Sequence, residues 1–67
     1  MVTIYNIKRN TWRNKKPYLL VELRGLSTDE KPTVINDGDI ENGSVFIEID
    51  TGNVYIYDLI SKEWNGV

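Results

Sequence analysis

The chain predicts an all-β fold: a small single-domain antiparallel sheet or partly open barrel of four to five strands, connected in the manner of a meander. Three observations point there. The segment Ser44-Val45-Phe46-Ile47-Glu48-Ile49-Asp50-Thr51-Gly52-Asn53-Val54-Tyr55-Ile56-Tyr57-Asp58 holds two runs of β-branched and aromatic residues around a polar turn. Glycine stands in that turn where a left-handed backbone is expected. Residues 25–43 carry three of the five glycines, Pro32 and many Ser, Thr, Asn and Asp, which is turn and loop composition. No segment shows convincing helical spacing; Ser27-Thr28-Asp29-Glu30 caps at most one helical turn before Pro32 stops it.

In chain order, Val2–Arg9 alternates and predicts a first strand, with Val2 and Ile4 on one face and Thr3, Tyr5 and Ile7 on the other. Asn10–Lys16 is polar and basic around Trp12 and reads as a loop closed by Pro17. Tyr18–Arg24 predicts a second strand, in which Val21 and Leu23 share a face opposite Glu22 and Arg24. A short strand is expected around Pro32–Ile35. In the hairpin, Val45, Ile47 and Ile49 form the expected core face, with Phe46, Glu48 and Asp50 opposite. A second turn at Asp58–Lys62 returns the chain so that Trp64 covers the sheet.

Residues 1–67 make one domain, which buries only about 60% of the surface its unfolded chain exposes. With no Cys and no His, disulfides, thiolate zinc sites and imidazole chemistry are excluded, and association is the remaining staple. No run of about 20 apolar residues is present, so no helix spans a membrane. The N-terminal residues lack the pattern of a secretory leader. The net charge of −2 hides an asymmetry. Residues 1–24 hold six cations against Glu22, a net of +5, and residues 25–67 hold Lys31 and Lys62 against nine carboxylates, a net of −7. Two arrangements follow: opposite surfaces that attract each other within one fold, or subunits stacked basic face on acidic face.

Four constellations are candidate sites. Trp12 among Arg13, Lys15 and Lys16, with Lys8 and Arg9 nearby, has the aromatic-cation mixture that stacks bases and neutralises phosphates. A whole-chain pI near 4.9 argues against a dedicated nucleic-acid binder. Asp37, Asp39 and Glu41, with Glu48 eleven residues after Asp37, echo a calcium loop. Glycine is misplaced and flanking helices are missing, so an acidic turn region without metal is expected. Asp50 and Asp58 bracket a strand, but turn formation explains them better than paired-carboxylate catalysis. No catalytic constellation and no cofactor is expected. Tyr55 and Tyr57, with Phe46 and Trp64, form either an exposed row for sugar or protein contact or a cross-strand packing cluster.

Three strings together, Gly25-Leu26-Ser27-Thr28-Asp29-Glu30-Lys31-Pro32-Thr33, then Asn42-Gly43 with the hairpin through Asp58, then Lys62-Glu63-Trp64, resemble small open reading frames of tailed bacteriophages and prophages, chiefly of Gram-positive bacteria. The pattern N-G-S-x-F-x-E-x-D-T-G-x-V-Y-x-Y-D carries most of the likeness, which does not extend to residues 1–24. The resemblance implies a non-enzymatic virion structural or assembly-accessory protein. Its partners would be other phage structural proteins or further copies of itself, in the host cytoplasm during assembly and in the virion. The basic Asn10–Lys16 segment would then meet an acidic surface such as Asp37–Glu41 of a neighbour. A nucleic-acid accessory protein and a carbohydrate-contacting module are the alternatives.

Overall fold

The computed structural model describes residues 2–67, apart from the side chain of Arg13. They form one curled, open sheet with no helix: β1 (Thr3–Arg13), β2 (Lys16–Gly25), β3 (Val34–Ile35), β4 (Gly38–Ile40), β5 (Val45–Glu48), β6 (Val54–Asp58) and β7 (Glu63–Gly66). The all-β expectation holds, but the described strands number seven instead of four to five. β3 lies within the short strand expected around Pro32–Ile35, whereas β4 was hidden, because a run of three residues is too short to show a period.

β2 organises the sheet. Along one edge it pairs antiparallel with β1 over nearly its whole length. Along the other it pairs with β4 through Tyr18 and Leu19, and with β5 through Glu22–Gly25. Both of these pairings are parallel, which departs from a simple antiparallel meander. β5, β6 and β7 then follow as a true meander. Parallel pairing needs a crossover, supplied by residues 26–33.

β4 and β5 lie in sequence along the same edge of β2, and the ladder breaks between them at Glu41-Asn42-Gly43-Ser44. Ser44, with no solvent exposure, splints the break. Its Oγ accepts the Val21 N–H at 3.1 Å and donates to the Glu41 carbonyl at 2.8 Å. A hydroxyl thus takes the place of a missing main-chain acceptor. Ser44→Ala would leave the buried Val21 N–H without an acceptor, at a cost of about 1–3 kcal/mol. A fall in the urea midpoint together with loss of exchange protection at the Val21 amide is the expected result; full protection there would refute the splint.

β1 is an edge strand, and its register against β2 shifts between Ile4 and Asn6 and again between Ile7 and Arg9. The extra residues are Tyr5 and Lys8. These bulges correct the simple alternation: Ile4 pairs with Leu23 and Ile7 with Val21, so both isoleucines lie on one face instead of two. The strand also runs on to Arg13, so the expected basic loop shrinks to the two-residue turn Asn14-Lys15. Both turn residues have positive φ, 52° and 62°, the handedness that matches a twisted hairpin.

The core lies on the concave side. It consists of Leu19, Val21, Leu23, Ile40, Phe46 and Tyr57, with Val2, Ile35, Tyr55, Leu59 and Trp64 packed around it. This reverses the expected polarity of the main hairpin. Phe46 and Glu48 point inward, at 0% and 3% exposure, whereas Ile49 is 64% and Ile56 44% exposed. Trp64 covers the inner face as anticipated, with its ring 4.9 Å from that of Tyr57 and 5.9 Å from that of Phe46. The expected turn glycine also appears, with Gly52 at φ 79°.

Candidate interaction surfaces

Trp12 stands at the far end of the β1–β2 ribbon, 71% exposed. It does not fold back on the core, and its cross-strand neighbour is Pro17. Lys15 is exposed in the turn, and Lys8 and Arg9 are exposed along the strand. Among the described residues none of these three forms an ion pair. The Arg13 side chain lies outside the described residues. Lys16 is different. Its Nζ meets Asp39 Oδ2 at 2.8 Å and lies 5.7 Å from the Tyr18 ring. The hydrogen bond to Asp39 holds its ammonium above the ordinary value. One contact between the basic and acidic segments is therefore made inside a single chain.

The acidic residues do not converge. Asp37, at φ 63°, forms with Asn36 the turn between β3 and β4 and is exposed. Asp39 is engaged with Lys16. Glu41 is 6% exposed, and its Oε1 accepts the Asn42 N–H at 2.9 Å. Glu48, the last position of the calcium-like spacing, points to the core side and binds Lys31. Among the described residues no three carboxylates come together as a metal site.

Of the two arrangements open to the aromatic residues, the structure has the cross-strand packing cluster, and Tyr55 and Tyr57 do not form an exposed row. Tyr57 is 2% exposed and belongs to the core. Tyr55 is half-buried beneath Lys31, whose Nζ lies 4.2 Å from the Tyr55 ring and 4.9 Å from that of Phe46. Aromatic side chains fill the curved interior because they are the bulkiest on the hairpin.

Residues of the segments 25–33, 44–58 and 62–64 meet instead in a structural staple. Side chains fasten the crossover to the sheet at three points, and the Ile40 N–H adds a main-chain bond to the Thr33 carbonyl at 3.1 Å. Ser27 donates its N–H to Asp50 Oδ1 at 2.9 Å and its hydroxyl to Asp50 Oδ2 at 2.6 Å. Lys31 Nζ meets Glu48 Oε2 at 2.9 Å, while Thr51 Oγ1 donates to Glu48 Oε1 at 2.7 Å. Trp64 Nε1 donates to the Pro32 carbonyl at 2.9 Å. At the start of the crossover, Gly25 has no room for a side chain: a Cβ there would stand 2.9 Å from Phe46 Cζ.

Two of these clasps make stability depend on pH. The Lys31 hydrogen bond, aided by Thr51, holds the Glu48 carboxyl below its ordinary value of 4.5 despite its burial. The Ser27 hydroxyl likewise holds Asp50 below 3.8. Depressed folded-state values mean that the unfolded chain takes up protons first, so this stability is complete above the ordinary values and drains away as pH falls through the lower, folded ones. The urea midpoint should stay level from about pH 7 to about pH 5 and decline below about pH 4.5. Combining Glu48→Gln with Asp50→Asn should flatten that acid limb; an unchanged limb would assign it to other carboxylates.

The surface missed by sequence reasoning is the outer face. Val45, Ile47 and Ile49 alternate outward along one side of the hairpin, and the register pairs Val45 with Ile56 and Ile47 with Val54. On β2 the same face carries Glu22 beside Val45 and Arg24 beside Ile47. Arg24 Nη2 donates to Glu22 Oε2 at 3.0 Å, and its guanidinium lies 3.6 Å from the ring of Tyr5. The signal was present as the aliphatic phase of the alternation, assigned to the wrong side of the sheet. In comparisons with protein-family models, curated proteins and solved structures, the chain matches none.

Proposed function

We propose that this chain is a non-catalytic interaction module of phage or prophage origin, acting in the virion or in its assembly alongside other phage structural proteins. The observation that carries the reading is the uncovered outer face, where Ile49 and Ile56 are 64% and 44% exposed on a sheet whose own core lies on the other side. Val45, Ile47 and Val54 beside them are half-buried, and an aliphatic stripe left partly open on one face is a candidate interaction surface. The phage-like strings agree with that role and bring no catalytic residue with them. On this reading the protein works in the host cytoplasm during assembly and travels with the particle. Mass spectrometry of purified particles and assembly intermediates of the encoding phage tests it. Recovery at a fixed ratio to the capsid or tail proteins is expected, and absence from both fractions would overturn it.

One observation favours a second reading. The β1–β2 ribbon presents Trp12 at 71% exposure with Lys8, Arg9 and Lys15 unpaired among the described residues, and a two-stranded ribbon fits a nucleic-acid groove. Single- or double-stranded DNA would then quench Trp12 fluorescence at low salt, with affinity falling steeply as salt rises. Unquenched emission, or binding indifferent to Trp12→Ala, would eliminate it.

A further inference from the structure

We propose that Asn65-Gly66 in β7 is a site of spontaneous covalent modification, where the Asn65 side-chain amide is lost as ammonia and replaced by aspartate or isoaspartate. The reaction needs only water. The Gly66 nitrogen, after giving its proton to base, attacks Asn65 Cγ. The new N–C bond closes a succinimide ring, and the side-chain nitrogen takes a proton and leaves as ammonia. Water then opens the ring. Attack at Cγ leaves aspartate, and attack at the main-chain carbonyl leaves isoaspartate.

A Cβ on the following residue hinders ring closure, and glycine has none. Glycine follows Asn or Asp at three places, Asp37-Gly38, Asn42-Gly43 and Asn65-Gly66. Local chemistry ranks the two Asn-Gly pairs equally, and the fold separates them.

At Asn42-Gly43 both reacting groups are held. The Gly43 N–H donates to the Tyr57 carbonyl at 2.9 Å, and Asn42 Oδ1 accepts the Leu59 N–H at 3.0 Å. Ring closure there would have to break both bonds. At Asp37-Gly38 the nitrogen is engaged as well. The Ile40 N–H reaches the Thr33 carbonyl at 3.1 Å. N–H groups alternate in direction along a strand, so the Gly38 N–H also faces β3, opposite its partner Ile35. An ionised Asp37 carboxylate is in addition a poorer target for a nucleophile than a neutral amide.

β7 presents the opposite case. It ends the strand order of the sheet, so one of its edges is open. The Val67 N–H donates to the Val54 carbonyl at 3.0 Å. By the same alternation the Gly66 N–H, opposite Tyr55, points away from β6 toward the open edge. Asn65 and Gly66 are both exposed, and the Asn65 carboxamide makes no hydrogen bond among the described residues. Each event adds a negative charge to a chain of net −2. Isoaspartate also routes the main chain through the residue-65 side chain, which takes Gly66 and Val67 out of register with Tyr55 and Val54. The strand that carries the Trp64 clasp to Pro32 is thereby shortened.

Peptide mapping by mass spectrometry tests the assignment on protein aged in mildly alkaline buffer, with and without denaturing urea. In the folded protein Asn65 should convert about 10-fold or more faster than Asn42, and in urea the two rates should converge. Isoaspartate should be present among the products, since direct hydrolysis of the amide gives aspartate alone. Gly66→Ala should slow conversion at Asn65 by about 10-fold or more. Its added Cβ would meet Tyr55 Cε2 at 3.6 Å, an ordinary contact, so the variant should fold. If circular dichroism shows it unfolded, the comparison of folded and urea-treated wild type decides alone. Asn42 converting as fast as Asn65 in the folded protein would overturn the proposal. So would an Asn65 that stays intact, a preference for Asn65 that persists undiminished in urea, or a product free of isoaspartate.

Discussion

Replacing Phe46 with alanine is expected to cost about 3–5 kcal/mol, the largest effect of any single truncation in this core. Phe46 has no solvent exposure and sits where all parts of the fold meet. It pairs with Leu23 on β2 and Tyr55 on β6, lies edge-on to Trp64 at 5.9 Å, and supports the Lys31 ammonium at 4.9 Å. A domain of 67 residues commands only about 3–10 kcal/mol in total. The variant should therefore melt about 15–30 °C lower or be unfolded at room temperature. Phe46→Leu keeps most of the volume and should cost less than about 1.5 kcal/mol. Thermal unfolding followed by far-ultraviolet circular dichroism decides. Near-wild-type melting of Phe46→Ala would mean that the core is organised around some other residue.

Trp64→Ala should follow at about 3 kcal/mol, and its consequence should be local before it is global. The indole supplies ring contacts to Tyr57 and Phe46 worth about 0.5–1.5 kcal/mol each beyond burial. Its hydrogen bond to the Pro32 carbonyl adds about 1 kcal/mol. That bond is the clasp closest to the end of the crossover. Its loss should free residues 26–33, so that the Asp29 amide, bonded to the Leu26 carbonyl at 3.0 Å, exchanges faster than those of β2. Trp64→Phe keeps the ring stacking and loses the donor, and should fall between wild type and alanine. Equal exchange at Asp29 in Trp64→Ala and wild type would show that the Ser27–Asp50 and Lys31–Glu48 clasps hold the crossover unaided.

Much of the fold was legible in the sequence. The hairpin turn, the left-handed Gly52, the second strand, the short strand near Pro32, the return at Asp58–Lys62 and the covering role of Trp64 all follow from local chemistry. Turn residues and proline act over a few positions, and a reader of the chain can see them. What could not be read were features set by distant partners. The bulges of β1 reflect its fit to β2. The break at Glu41–Ser44 makes sense only because Ser44 reaches Val21, twenty-three positions away. Among the candidate site residues, Trp12 and Lys15 proved exposed, whereas Lys16 and Asp39 proved to be each other's partners. Nothing in the separate basic and acidic segments marked those two residues as neighbours; β4 docking in parallel beside β2 made them so.

The sequence by itself determined that this is a one-sheet β domain and that its central hairpin has two apolar phases, one aliphatic and one aromatic. The aliphatic phase was expected to face inward, and that expectation failed, because a period of two defines faces without choosing between them. The tertiary structure chose the aromatic phase. Curling the sheet makes a concave space that Phe46, Tyr57 and Trp64 fill, and the crossover brings Lys31 to the one carboxylate, Glu48, that the same phase carries inside. The aliphatic phase was left on the outer face, with Ile49 and Ile56 exposed.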